Sequence, residues 1–267
     1  MNETELLFTE ILGLSRAQLY LEKDRVISRE DCLRISRALK RRFSGEPIQY
    51  ILGKTEFMGL EFEVNPDVLI PQPDTEVLVE SALKQITNSV TYSFSRPEIL
   101  DLGTGSGCIA VSLARSLSQA RIVAVDISQP ALNTAETNAR KNGVSQSIEF
   151  LNSDLFGSPR LAGNSFDLII SNPPYVKTGV IQELDAEVRS EPRIALDGGE
   201  DGLDFYRRIF RESSGYLKRG GILMLEMGFD QKNEVEEIIR RSQIFEVKEV
   251  IKDYNNIQRV IVAGFKP

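Results

Sequence analysis

From Glu98 onward the chain repeats one alternation, a short apolar run followed by a longer stretch with helical spacing. The runs at 98–102, 121–126, 147–151, 166–171 and 221–227 are rich in Ile, Leu, Val and Phe and read as buried strands. The stretches at about 107–118, 129–142, 203–217 and 230–242 read as helices. Strand and helix in turn predict a parallel, doubly wound sheet. Two last runs, 244–252 and 257–265, flank the short turn Asp253-Tyr254-Asn255-Asn256 and predict an antiparallel hairpin. The expected fold is α/β, with a seven-stranded, mostly parallel sheet closed by that C-terminal antiparallel hairpin.

The pattern before residue 86 is different. Leu6, Leu7 and Ile11 suggest one helix. Ser28 with Asp31 reads as the N-terminal cap of another, with Cys32, Ile35, Leu39 and Phe43 along one face. Gly45-Glu46-Pro47 ends the helical part. Leu60, Phe62 and Val64 then alternate with Glu61 and Glu63, and Phe57-Met58-Gly59 suggests a small β-hairpin. Asn65-Pro66 turns the chain toward a helix capped near Asp74. The expected division is a small helical domain with a linking hairpin over 1–85 and a catalytic domain over 86–267. Val176 to Gly202 has little regular pattern, and a loop of that length is usually functional.

Composition narrows the function. The net charge of −7 argues against a protein that lives on nucleic acid. The acidic start Met1-Asn2-Glu3-Thr4-Glu5 is unlike a secretory leader, and no apolar stretch approaches a membrane span, so a cytoplasmic location is expected. Cys32 and Cys108 lie far apart, which fits a reducing compartment. Histidine is absent, so catalysis must work without imidazole, and no metal site is expected.

Two motifs carry the chemistry. Gly103-Thr104-Gly105-Ser106-Gly107 joins a strand to a helix, where backbone can approach a ligand and helix N–H groups point at it. Its third glycine comes one residue too early for the dinucleotide fingerprint. Asp126 ends the next strand, placed for a ribose diol or as a carboxylate at the start of a helix. Asn172-Pro173-Pro174-Tyr175 follows the strand 166–171, at the carboxyl end where open α/β sheets place ligands. The prolines have no N–H, so this stretch presents carbonyls, beside an amide oxygen and a flat ring. Such a pocket suits a planar –NH2 group. A Pro-rich turn is the bland alternative.

Together these features resemble a Rossmann-like S-adenosylmethionine-dependent methyltransferase. The segments 45–53, Phe57-Met58-Gly59-Leu60, 69–76, 171–175 and 191–203 further resemble the HemK/PrmC family. Members of that family methylate the glutamine amide in the Gly-Gly-Gln loop of class I peptide-chain release factors. The resemblance runs over nearly the whole chain from residue 45. It implies that Gly103 to Gly107 cradle the methionine part of the cofactor, that Asp126 takes the ribose, and that Asp154, Leu155 and Phe156 border the adenine. Phe156 also reads as ordinary core. Asp101 is placed either to hold the cofactor's ammonium or to brace the loop. Asn172 and the Pro173 carbonyl would each accept one hydrogen of the substrate amide, with Pro174 and the Tyr175 ring beside them. Tyr175 also reads as a structural plug. One departure is Gln72, where the family commonly has Arg. The resemblance implies a release factor as partner, with no membrane and no direct nucleic-acid contact. An adenine-amino methyltransferase is the runner-up, since it needs the same acceptor pair. A cofactor-binding module without catalysis and an NAD-dependent oxidoreductase are weaker readings.

Overall fold

The computed structural model describes residues 2–22, 24–88 and 96–266. Four helices open the chain: α1 (Glu3–Leu12), α2 (Arg16–Leu21), α3 (Arg29–Phe43) and α4 (Ile48–Leu52). Each of the first three has a serine or asparagine cap, and Ser28 accepts the Asp31 N–H as the sequence predicts. They close over a small core of Leu7, Ile35, Ala38 and Ile48. The apolar face expected on α3 is only partly buried. Ile35 is inside, while Cys32 is exposed and Phe43 is 88 % exposed at the helix's last turn. Ala38 and partly buried Leu39 complete the packed face instead.

The strands β1 (Lys54–Phe57) and β2 (Leu60–Glu63) form the expected hairpin, with Met58 and Gly59 both at positive φ in its two-residue turn. Phe57 and Phe62 meet edge to face at 6.0 Å and are buried in the main core. The helix α5 (Pro73–Asn88) follows, and Leu78, Val79 and Ala82 on it pack into the same core. The boundary expected between 85 and 86 therefore falls inside a helix that covers the sheet.

The remaining elements alternate: β3 (Glu98–Leu102), α6 (Cys108–Ser116), β4 (Arg121–Asp126), α7 (Gln129–Lys141), β5 (Ile148–Asn152), β6 (Phe166–Ser171), α8 (Ala186–Arg189), α9 (Arg193–Leu196), α10 (Asp204–Glu212), β7 (Leu217–Glu226), α11 (Lys232–Ser242), β8 (Phe245–Lys252) and β9 (Gln258–Phe265). The sheet order is β5-β4-β3-β6-β7-β9-β8. The pairs from β5 to β7 are parallel, and β9 is antiparallel to both neighbours. The strands' period of two splits the core. Ile99, Ile122 and Ile170 face α5 and α6, whereas Leu100, Val123 and Ile169 face Tyr206, Phe210 and Ile239 of α10 and α11. Connections leave β3 in one direction toward β4 and return to place β6 on its other side. The carboxyl ends of β3, β4 and β6 consequently flank the crevice at the switch point.

Candidate active site

The glycine loop begins where β3 ends. Gly103, Gly105 and Gly107 all have positive φ (69°, 55° and 81°), a conformation that L-residues with side chains rarely hold. A Cβ on Gly107 would also come within 3.0 Å of the Ala135 Cβ, so α6 and α7 sit as close as they do only with glycine there. The Gly103 and Thr104 N–H groups donate to the Val125 carbonyl, which folds the loop back over β4. Asp126 then receives the Gly105 N–H on Oδ2 at 2.8 Å and the Ser128 N–H on Oδ1 at 2.9 Å. Each oxygen keeps a lone pair for a ligand. Burial raises the Asp126 pKa, while the Ser128 and Gly105 N–H groups oppose the shift.

Asp101 lies beneath this loop and is fully buried. Its Oδ2 accepts the Thr104 hydroxyl at 2.6 Å, and its Oδ1 has no hydrogen-bond partner among the described residues. Burial pushes the carboxyl up to about 7. The Thr104 hydroxyl pulls it down, the Asp126 charge adds to the rise, and the Ala110 N–H opposes it. A buried carboxylate oxygen with no donor is costly unless a ligand brings one. That observation fits a cofactor carrying an ammonium group.

The second half of the site follows β6. Asn172 lines the cleft, and its Nδ2 donates to Thr75 Oγ1 at 3.0 Å. Thr75 in turn donates to Glu226 Oε2 at 2.7 Å. Among the described residues nothing bonds Asn172 Oδ1, so the amide offers its carbonyl to the cleft. Glu226 is 1 % exposed at the end of β7. Burial pushes it up to about 7, opposed by the Thr75 hydroxyl and the Arg259 charge. Tyr175 turns its hydroxyl toward Glu226 Oε1 at 3.4 Å, and its ring packs against the core under α10. Burial raises the Tyr175 pKa, and the Glu226 charge adds to the rise.

The long segment after Tyr175 is held against this motif. Val176 and Asp197 form a bridge, Gly198 donates to the Val176 carbonyl at 2.8 Å, and Gln231 Nε2 donates to the Tyr175 carbonyl at 2.9 Å. A Cβ on Gly198 would lie 2.7 Å from Tyr175 Cα, so only glycine permits this approach. Glu191 from the same segment accepts the Ile70 N–H at 2.8 Å, beside Val68 and Leu69 on the cleft wall. Tyr50 of α4 donates its hydroxyl to the Val68 carbonyl at 2.6 Å.

The residues predicted from sequence divide into those that line the cleft and those that shape it. Gly103, Gly105, Asp126, Asp154, Leu155, Asn172 and Pro174 line it. Thr104, Ser106, Gly107 and Pro173 are buried behind the lining, and Tyr175, expected beside the substrate, packs against the core and is not part of the lining. Phe156 turns away, stacking on Tyr216 at 4.8 Å inside the core. Phe205, at the start of α10, lines the cleft instead. Its sequence signal is weak: an aromatic just after Gly198-Gly199-Glu200-Asp201-Gly202. Thr75 and Glu226 were missed as well. Glu226 does have a signal, a lone carboxylate ending the apolar run Ile222-Leu223-Met224-Leu225, as Asp126 ends β4. Gln72 is exposed beside the cap of α5, where its carbonyl accepts the Thr75 N–H.

Comparison with known proteins agrees with this geometry. Residues 1–53 match the PrmC N-terminal domain, and residues 75–189 match the methyltransferase small domain. The release factor glutamine methyltransferase of Moorella thermoacetica is 42 % identical over 261 residues, covering 98 % of this chain and 90 % of that protein. That of Geobacter sulfurreducens is 43 % identical over 260 residues, covering 97 % and 87 %. The chain belongs to the release factor glutamine methyltransferase family. Solved structures extend the likeness in fold beyond that family. A methyltransferase from Pyrococcus furiosus superposes with a TM-score of 0.56 at 19 % identity, over 86 % of this chain and 98 % of that one. The catalytic domain of hMettl16, in complex with a MAT2A 3'UTR hairpin, superposes with a TM-score of 0.62 at 17 % identity over 84 % of each chain. The overall fold of this chain is thus shared with methyltransferases of low sequence identity. Among the described residues no helix is long and apolar enough to cross a membrane.

Proposed function

We propose that this protein methylates the side-chain amide nitrogen of the glutamine in the Gly-Gly-Gln loop of a class I release factor, with S-adenosylmethionine as methyl donor. The observation that carries the reading is the free Asn172 carbonyl at the end of β6, opposite a glycine loop beneath which buried Asp101 keeps one oxygen without a donor among the described residues. Gly103 to Gly107 and Asp101 would hold the methionine end, Asp126 the ribose, and Asp154 with Leu155 the adenine. When bound there, the cofactor supplies an electrophilic methyl group.

An amide nitrogen is a poor nucleophile because its lone pair is delocalised into the carbonyl. Asn172 Oδ1 and the Pro173 carbonyl each accept one N–H of the substrate amide. Those bonds strengthen as positive charge grows on the nitrogen, which stabilises the transition state more than the ground state. Fixed aim toward the methyl group supplies much of the remainder. The methylated nitrogen is acidic and gives its proton to water. The net charge of −7 supports a protein substrate over nucleic acid. The helices α1 to α4 serve as a docking unit for that substrate, and the reaction takes place in the cytoplasm.

The test is mass spectrometry of a folded release factor after incubation with enzyme and S-adenosylmethionine. The glutamine of the Gly-Gly-Gln loop should gain one methyl group. Asn172→Ala should lower kcat by about 10²-fold or more while cofactor affinity changes little. Methylation of adenine in RNA or DNA with none on the release factor would overturn the assignment.

A further inference from the structure

The two ends of an asparagine amide are chemically opposite, and rotating the group by half a turn exchanges an acceptor for two donors. For a substrate –NH2 only one orientation works, because Nδ2 facing the cleft would set donor against donor. Asn172 therefore needs something that reads the difference. Backbone position cannot, since both orientations have the same shape.

We propose, building on the amide-methylating reading above, that Glu226 acting through Thr75 is the positioning device that keeps the Asn172 carbonyl turned to the substrate. The Thr75 hydroxyl has a single proton. An ionised Glu226 can only accept, so at 2.7 Å it takes that proton. Thr75 Oγ1 is then left as an acceptor alone, and the only end of Asn172 that it can bind at 3.0 Å is Nδ2. A negative charge 1 % exposed on β7 thereby chooses the orientation of a neutral amide on the neighbouring strand's loop. Neither Thr75 nor Glu226 lines the cleft, so neither touches substrate.

Protonation would undo this choice. A protonated Glu226 can donate to Thr75, freeing the Thr75 proton to bond Asn172 Oδ1 and turn the donors outward. Several groups face this carboxyl. Asp74 comes with Thr75 from α5, Tyr175 from the loop after β6, and Arg259 from β9. Arg259 is itself held by Asp74 at 2.9 Å and by Asp253 at 3.2 Å. Tyr206 of α10 donates to the Glu226 main-chain carbonyl, and Cys108 of α6 senses the Glu226 charge. Burial outweighs the Arg259 and Thr75 contributions and brings Glu226 to about 7, so the exchange falls near neutral pH.

The first measurement needs no substrate. The side-chain amide resonances of Asn172 are followed by NMR in the full-length, isotope-labelled protein. At pH 8 one Nδ2 proton should be shifted and protected from exchange, and that protection should disappear as the pH falls through about 7. The second is steady-state kinetics on a release factor. Thr75→Val should lower kcat by about 10- to 100-fold with cofactor affinity within about threefold, and Thr75→Ser should restore most of the rate. Glu226→Gln, which keeps the shape, should lower kcat and abolish its acid limb. An Asn172 amide unprotected at pH 8, or unchanged between pH 8 and 5.5, overturns the proposal, as does a Thr75→Val kcat within about twofold of the parent. A parent enzyme that leaves the release factor unmethylated overturns the substrate assignment instead, and the NMR titration still decides the orientation.

Discussion

Three buried carboxyl groups, Asp101, Glu191 and Glu226, are all pushed by burial to about 7. They do different work. Asp101 accepts Thr104 and keeps one oxygen unpartnered, Glu226 faces Thr75, and Glu191 accepts the Ile70 N–H with no ion pair among the described residues. Glu191 allows the simplest test of the cost of burial. Its folded pKa is raised above the unfolded value near 4.5. Its contribution to stability is therefore fully present below pH 4.5 and is lost as pH rises through about 7. Glu191→Gln keeps an acceptor for Ile70 and cannot ionise. Relative to the parent it should gain on the order of 2 kcal/mol between pH 5 and pH 8, read from urea unfolding at both values. An equal stability difference at the two pH values would mean that Glu191 is ionised at little cost. At this scale the sequence was legible where one residue type has one use. Glycines at 103, 105 and 107 announce a loop with positive φ, and Asn172 before two prolines announces an acceptor. Thr75 and Glu226 lay hidden because they are 151 positions apart and neither residue type is unusual where it stands.

Among the elements, the strands lie within a residue or two of where the apolar runs put them, because buried parallel strands are written as unbroken hydrophobic sequence. The exception is β7, which starts at Leu217 rather than 221. Lys218-Arg219-Gly220-Gly221 reads as a turn, yet Leu217 pairs with Phe166 across an irregular step. The helix expected to reach 217 stops at Glu212, where Ser213 to Gly215 tighten into a 3₁₀ turn. Residues 176–202 fold into turns too short to leave a period, and their order comes from tertiary bonds such as Gln231 to Tyr175. One joint between elements illustrates the same dependence. Asn138 on α7 is fully buried, accepts the Glu63 N–H at 2.7 Å, and donates to the Glu63 and Ser106 carbonyls at 3.0 and 2.9 Å. It ties the β1–β2 hairpin to the glycine loop. Asn138→Ala would strand three backbone groups at once and should cost about 2–4 kcal/mol, with weaker cofactor binding by calorimetry. Asn138→Ala with the parent's Tm and affinity would show the joint to be dispensable.

At the scale of the whole molecule the four N-terminal helices sit on the catalytic layer through few charged contacts. Arg42 bonds Glu3 at 2.9 Å within its own unit and Glu187 at 2.5 Å across to α8, and Lys54 bridges Glu10 at 2.8 Å. These charges are a quarter to a half exposed, so they orient more than they stabilise. A chain beginning at residue 45 should bind S-adenosylmethionine within about threefold of the parent but show a KM for folded release factor raised about tenfold or more, since docking energy is lost rather than chemistry. The same chain and the parent should methylate a short Gly-Gly-Gln peptide equally. An unchanged KM for the folded protein would remove the docking role. The Asp74–Arg259 pair has a further consequence. It joins a residue in the first third of the chain to the last strand, and Glu226 owes its register to Val260 on that strand. Ribosomes make protein from the amino end, and segments fold in that order. The glycine loop and Asn172 are therefore synthesised well before the strand that sets Glu226 in place. The strands β3, β4 and β6 that flank the cleft can be made and paired early, yet Glu226 gains its partner Val260 only when β9 slots between β7 and β8. A chain ended upstream of β9 would lack Val260 to Ala263, which fill both faces of the core, and should be recovered unfolded and protease-sensitive, so competence arrives with the final stretch of translation.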